Sequence, residues 1–411
     1  MCRVAGAAIT FLTQIFLARW MGASEFGVFV LAFSWCILLS TLSTGGFRIA
    51  SIRFIGEALA KSDRDYLLGY VRSSRRITTI ISLIVIVIGC VALLALDTFG
   101  RFQHVTVYAI ALLTVPFFAL LNLYSSFANA FSRFALSFIP QNIYRPLLFL
   151  VVTLIVWQMT RSLDADAAIA ANLISFMIVT GVTAVVVSKL LKRETAGAVP
   201  RYETRTWIMT AAPLLLVALF TGYFPSLMMI LAGPFLPSDQ IAVFHACFRI
   251  VMLISFGLVA IDAFTGPQLV KLITDKQSDE LQRLVNRITR LRFWAALAAV
   301  VLLIPAGKPL LGLFGSEFMA GYPVLLILAG SQLIQAGAGP VTRLISLSGH
   351  QNSSIRVFAT SIVAAGVLTA LLAPLFGTAG AAVATLLVTV LWVIWMRVIV
   401  ASRLQIRPSP F

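Results

Sequence analysis

The chain has 411 residues, 60% of them hydrophobic and 11% charged, with a formal net charge of +16. A soluble chain carries about 25% charge, so the composition excludes an ordinary water-soluble domain. Backbone groups in hydrocarbon must bond internally, and runs such as ITTIISLIVIVIGCVALLAL lack the alternation of a membrane barrel, so the expected class is an all-α integral membrane protein.

Apolar runs able to cross about 30 Å of hydrocarbon as helices recur along the chain. Twelve spans are expected, at roughly 4–19, 26–47, 77–96, 105–130, 136–158, 167–188, 207–232, 241–265, 293–313, 322–342, 357–376 and 379–400. The first is short and bracketed by Arg3 and Arg19; no soluble domain follows it, so it reads as a helix rather than a signal peptide. The basic residues alternate by side. Of 31 Lys and Arg, 25 fall on the side that holds both termini, while Arg19, Arg101, Arg161 and Lys308 fall on the other. This positive-inside pattern predicts cytoplasmic termini and accounts for the charge without a nucleic-acid partner. The longer inner loops, after spans 2, 6 and 8, read as basic amphipathic helices on the membrane surface.

Three blocks repeat about 215 residues apart: LARWMGASEFGVF with LAGPFLPSDQIAVF, KSDRDYLLGYVRSSR with KQSDELQRLVNRITR, and AAIAANLI with AAVATLLV. In the second block Lys61, Asp65, Arg72 and Arg75 fall on Lys276, Glu280, Arg287 and Arg290. Two six-helix lobes are therefore expected, 1–195 and 207–411, joined by a polar linker at 196–206. Spans 1 and 7 enter from the same side, so the repeat is parallel. Bundles duplicated in this way place a site between their halves and work by rocking.

Enzyme signatures are missing. The chain has no G-x-x-x-x-G-K-[ST] loop and no G-x-S-x-G elbow. Its His104, His245 and His350 lack ligand spacing, as do its four cysteines, so no metal or cofactor is expected. The outer loops are too short for a catalytic domain.

The charges inside the spans carry the functional reading. His245 and Arg249 lie one turn apart on span 8, and Asp262 lies too far along to pair with Arg249. Arg249 snorkels outward, meets an acid from another helix, or faces a water-filled cavity. Asp262 is either an interfacial carboxylate or an ion-coupling site. Arg145 precedes Pro146, which should loosen span 5. Arg48 and Arg53 at the inner end of span 2 are topology anchors or anion ligands, and Asn122, Asn129, Gln332 and Gln335 could line a cavity or bond helix to helix. A guanidinium in low dielectric suits a phosphate, which it grips with two parallel hydrogen bonds.

LARWMGASEFGVFVLAFS with GGFRIASIRFIGEAL, and later LFGSEFMAGYPVLLILAGSQLIQAGAGPVTRLISLSGHQ with APLFGTAGAAVATLL, resemble polysaccharide flippases of the multidrug/oligosaccharidyl-lipid/polysaccharide exporter superfamily over nearly the whole chain. The resemblance implies two lobes around a central cavity and export of polyprenyl-pyrophosphate-linked sugar units across a bacterial cytoplasmic membrane, driven by an ion gradient. It implies a monomer in membrane lipid, with a polysaccharide polymerase and chain-length machinery as partners. Its basic cavity residues carry over best to Arg249, then to Arg48, Arg53 and Arg145; His245 and Asn129 join them as cavity candidates from their positions. The N-terminus is shorter than the family's usual one, and the chain stops after span 12. Two alternatives remain: a cation-coupled multidrug exporter of the same superfamily, and a membrane sugar polymerase or ligase.

Overall fold

The computed structural model describes residues 2–98, 104–275, 277–348 and 351–410; Arg101, Lys276 and His350 lie outside them. The helices are α1 (Cys2–Ser43), α2 (Phe47–Ala60), α3 (Arg64–Thr98), α4 (Val105–Ala130), α5 (Phe134–Ile139), α6 (Arg145–Thr160), α7 (Ala165–Glu194), α8 (Thr204–Ala232), α9 (Ser238–Thr274), α10 (Ser278–Gly312), α11 (Tyr322–Gly337), α12 (Val341–Leu347) and α13 (Gln351–Leu404). A π-helical turn, Pro140–Tyr144, joins α5 to α6, and a 3-10 turn, Ser316–Gly321, leads into α11. Among the described residues there is no strand.

Among the described residues, 10 helical stretches are long and apolar enough to cross a membrane. The two longest contain a turn each. α1 turns at Gly22 (φ 76°, ψ 167°) and α13 at Gly377 (φ 60°, ψ −137°). Those turns fall between expected spans 1 and 2 and between spans 11 and 12, so the ten stretches accommodate the twelve expected crossings.

Two local expectations change. Span 2 stops at Ser43 rather than near 47, because Gly45 and Gly46 take positive φ (54° and 80°) and the chain restarts as α2. Gly46 is required twice over: besides its φ, any Cβ there would lie 1.9 Å from the Ala211 carbonyl oxygen. The basic loop after span 2 holds one separate helix, α2, and then the first turns of α3, whereas the loop after span 8 is divided between the last turns of α9 and the first turns of α10, each continuous with a span.

The chain divides into two compact units, Met1–Leu227 and Met228–Phe411, and α8 straddles the division. In the first unit, Phe47, Phe54, Tyr70, Phe127 and Trp207 are buried together where α2, α3, α4 and α8 meet. Lipid is as apolar as these side chains, so close fit rather than flight from water holds such contacts. Tyr70 meets Trp207 edge to face at 5.3 Å, and the Trp207 indole N–H donates to the Tyr66 hydroxyl at 2.8 Å. The apolar part of α3 lies at the rim: only 11% of its membrane window is buried, and Val87, Val91 and Leu94 point outward. In the second unit, Phe314, Phe318, Leu325 and Val285 are fully buried.

Each unit also straps a tail across the start of a helix. The segment after α7 is docked on α3: the Val199 N–H donates to Asp65 Oδ1 at 2.8 Å, and the Arg201 N–H to the Asp65 carbonyl at 3.0 Å. The Arg201 side chain bonds Asp63 at 2.8 Å and lies 5.3 Å above the Tyr66 ring. Gly69 makes room, since a Cβ there would lie 1.8 Å from the Arg201 carbonyl oxygen. In the second unit the segment after α13 is docked on α10. Gln282 both accepts from the Arg407 N–H and donates to the Arg407 carbonyl, each at 2.9 Å, and Asn286 accepts from the Ser409 N–H at 3.1 Å.

Candidate functional site

A polar cavity opens where α2, α4, α5 and α8 face one another within the first unit; its volume is about 240 Å³. Arg48 reaches it because α2 begins one residue earlier, after the glycine turn. On α4 the lining residues are Asn122, Ser125, Ser126 and Asn129, at i, i+3, i+4 and i+7, so one helix face is wholly polar. Ser137 and Gln141 line it from the α5 side and Thr221 from α8. Among the described residues, no carboxylate lines it.

Its hydrogen bonds are partly committed. Arg48 Nη1 donates to the Tyr223 hydroxyl at 2.8 Å, and the guanidinium lies 5.6 Å from that ring. Tyr223 itself departs from helical geometry (φ −137°, ψ 21°), two residues before Pro225. Pro225 has no N–H to give the Thr221 carbonyl, which loosens the helix there. The Ser126 hydroxyl donates to the Arg48 carbonyl, and Gln141 Nε2 donates to Asn122 Oδ1 at 3.0 Å. Among the described residues, buried Ser125 Oγ has no hydrogen-bond partner. Leaving such a hydroxyl unsatisfied costs about 1–3 kcal/mol, so it is available to a water or another polar group in the cavity.

Of the residues singled out in the sequence, Arg48, Asn122 and Asn129 meet here. Arg53 does not. It lies five residues along α2, turned away from the lining, where it is exposed and pairs with Glu57 at 2.8 Å in an i,i+4 surface bridge. Arg145 lies elsewhere in the same unit. Its guanidinium carbon sits 4.9 Å from the Phe176 ring centre and 6.0 Å from that of Phe33, and Nη1 reaches Asn172 Oδ1 at 3.4 Å. Among the described residues, buried Asn172 Nδ2 has no partner. The loosening expected at Pro146 appears one turn earlier, as the π-helical turn in which the Arg145 N–H bonds the Pro140 carbonyl. Pro146 cannot bond the Asn142 carbonyl, and α1 packs against that oxygen: a Cβ on Gly6 would lie 2.1 Å from it.

The remaining candidates belong to the second unit. His245 is buried, Arg249 is half-buried, and Arg249 Nε donates to His245 Nε2 at 3.2 Å, as their one-turn spacing requires. Asp262 is ion-paired with Arg292, and the Asp262 carbonyl accepts from Arg343 Nη1. Gln332 accepts from the Ser255 hydroxyl at 2.9 Å, a helix-to-helix bond between α11 and α9. Arg292 and Arg343 counted only as topology anchors in the sequence; a partner 30 positions away leaves no local trace. Ser125 and Ser126 could have been found, because they complete the stripe that Asn122 and Asn129 begin. Gln141 and Tyr223 had no such signal.

The family described as "Polysaccharide biosynthesis protein" matches residues 1–265. "Probable low-salt glycan biosynthesis flippase Agl15" of Haloferax volcanii is 23% identical over 247 residues, a match covering 58% of this chain and 51% of that relative, so the chain spans about half of that protein's length. Among solved structures, an inward-facing multidrug resistance MATE transporter of the MOP superfamily superposes with a TM-score of 0.78 at 13% identity, over 97% of this chain and 95% of the other. The lipid II flippase MurJ in an inward closed conformation gives 0.77 at 12% identity, over 97% and 86%. At these identities the structural matches establish the fold.

Proposed function

Because this chain belongs to the polysaccharide biosynthesis protein family, we propose that it is a flippase moving polyprenyl-pyrophosphate-linked oligosaccharide units across the cytoplasmic membrane for surface polysaccharide assembly. It is a multi-pass membrane protein. In this reading 1–195 and 207–411 are its lobes and 196–206 connects them, both termini are cytoplasmic, and the lobes rock to expose the cargo alternately. The protein makes and breaks no covalent bond; it works as a monomer beside a polymerase and chain-length machinery, which act on what it delivers.

The observation that carries the reading is the chemistry of the Arg48 cavity. Its amides and hydroxyls match sugar hydroxyls, its guanidinium matches a diphosphate, and its lining holds no carboxylate among the described residues to repel one. Arg249 and Arg145 are further anion ligands in this proposal, with His245 beside Arg249. The exporter alternative needs a carboxylate ready to take up a cation, whereas Asp262 is engaged by Arg292.

Arg48→Ala and Arg249→Ala test it in cells, with surface polysaccharide and protein abundance measured together. A charge-assisted hydrogen bond contributes about 1.5–3 kcal/mol, so Arg48→Ala should cut export roughly 10- to 100-fold, with Arg48→Lys intermediate. Full export by both alanine variants at normal abundance would remove these arginines from the mechanism.

A further inference from the structure

A second concave space lies at one end of the first unit, where the turn between α4 and α5 meets the last turns of α7. It measures about 650 Å³, within the usual range of about 300–1,000 Å³ for ligand pockets. Its floor is apolar, with Phe134 60% and Val186 44% exposed, and its rim carries Arg133, Lys189 and Arg193. Lys189 and Arg193 are one turn apart on one face of α7, while Arg133 comes from the other wall. Arg133 is held there by backbone: its N–H bonds the Ala128 carbonyl at 2.9 Å, closing α4 through Ser132 at φ 58°. Among the described residues, none of the three cations has an ion pair or a side-chain hydrogen bond, and no carboxylate lines the space.

Topology alone would scatter cations at this end of the helices, and a helix C-terminus favours them. Neither requires three of them, from two separate elements, to surround an exposed apolar floor. That combination fits an amphiphile with an anionic head and hydrocarbon chains. We propose that this groove binds the phosphate headgroup of an anionic phospholipid, whose first methylenes lie on Phe134 and Val186. The site is separate from the Arg48 cavity. The two share α5 as a wall, with Arg133 to Leu136 facing the lipid groove, and Ser137 and Phe138 facing the cavity. A bound lipid therefore braces the wall of the cargo cavity.

The test uses the purified full chain in detergent, with phosphatidylglycerol, phosphatidylcholine and inorganic phosphate as probes, read by native mass spectrometry and thermal unfolding. Each basic residue near a membrane surface favours anionic lipid about fivefold. The Arg133→Gln/Lys189→Gln/Arg193→Gln variant should thus lose about a hundredfold in affinity for phosphatidylglycerol, along with its lipid-induced rise in unfolding temperature. A control that removes three exposed cations of α10, Arg283→Gln/Arg287→Gln/Arg290→Gln, should keep both. Equal losses in the two variants, equal protection by phosphatidylcholine, or displacement of the lipid by millimolar phosphate would each overturn the proposal. Phe134→Trp gives a reading that does not depend on the triple variant folding. Brominated phosphatidylglycerol should quench the added emission more strongly than brominated phosphatidylcholine, and equal quenching counts against the site.

Discussion

Each half of the chain carries a charge near one repeat position, Arg48 at the start of α2 and Asp262 within α9, and the two halves surround it differently. At the repeat offset Arg48 aligns with Ala263, next to Asp262. Both charged residues use their backbone carbonyls in the same way, Arg48 accepting from Ser126 and Asp262 from Arg343. The side chains part company. Arg48 touches a tyrosine hydroxyl and opens onto a polar cavity, whereas Asp262 is met by a buried arginine. An ion pair at low dielectric leaves little charge for a ligand; a guanidinium held only by a neutral hydroxyl keeps its positive field. Adjacent positions of the repeat thus carry a cation open to a cavity in one half and a closed ion pair in the other.

The largest expected effect breaks that contrast on the architectural side. Asp262→Ala leaves Arg292, whose side chain is 9% exposed, without its partner. Removing one member of a buried pair costs about 3–5 kcal/mol, and the 28% exposure of the Asp262 side chain favours the lower end. Unfolding in detergent should show a loss of about 3 kcal/mol, and replacing both residues with apolar ones of similar size should recover most of it. Arg48→Met, by contrast, should lose only about 1 kcal/mol, the worth of one hydrogen bond to a neutral partner, while export falls. If Asp262→Ala unfolds like the parent, the pair is not structural and its assignment here is wrong.

How far the sequence reached follows from the range of the forces involved. Span positions were legible because hydropathy is a local sum, and the turns at Gly22 and Gly377 fall where the hydrophobic runs break. The His245–Arg249 contact was legible because helical periodicity dictates it. The break of α1 at Gly45 and Gly46 was not, since it depends on the approach of Ala211, some 165 positions away. Nor was the exposure of Arg53, or the pairing of Asp262 with Arg292. Both depend on which face of a helix meets a neighbour, and periodicity fixes a face without naming what it meets.

A second comparison tests how deeply the repeat is built. Glu25 Oε2 accepts from the Ala165 N–H at 2.9 Å, capping the start of α7. Its counterpart at the repeat offset, Gln240, sits against the corresponding corner: a Cβ on Gly377 would lie 3.3 Å from Gln240 Oε1. The same position thus lies beside the start of the last span in both halves, as a hydrogen-bonding acid in the first and as an amide close to Gly377 in the second. Glu25→Ala should cost about 1 kcal/mol, the usual worth of a helix N-cap with its favourable dipole interaction. Glu25→Gln should cost less, because the amide oxygen still accepts. Equal losses from Gln and Ala, measured by thermal unfolding, would assign the cap to charge alone and separate the two corners.

The straps sharpen the comparison once more, through pH. Unit one holds its strap with acids, Asp63 and Asp65, whereas the second unit holds the residues after α13 with the amides of Gln282 and Asn286. The Tyr66 N–H, and after it the Arg201 guanidinium, hold the Asp63 carboxyl below its usual range. A carboxylate whose folded pKa is depressed contributes stability that is fully present above its unfolded pKa of about 3.9 and is lost as pH falls through the folded value. The first strap should therefore be unchanged from about pH 5 to 8 and release only below about pH 4, while an amide-held tail has no such transition. Asp63→Asn should reproduce the release at neutral pH. Hydrogen exchange of the 196–203 and 405–410 backbones reads both arms: faster exchange confined to the first segment is the expected result. Because the exposed Asp63–Arg201 pair is screened by solvent, this effect is the smallest of the set, a loss of local protection rather than of global stability. Parallel release of both segments in acid would mean that the second strap depends on a carboxylate too, and the two halves would then fasten their tails alike.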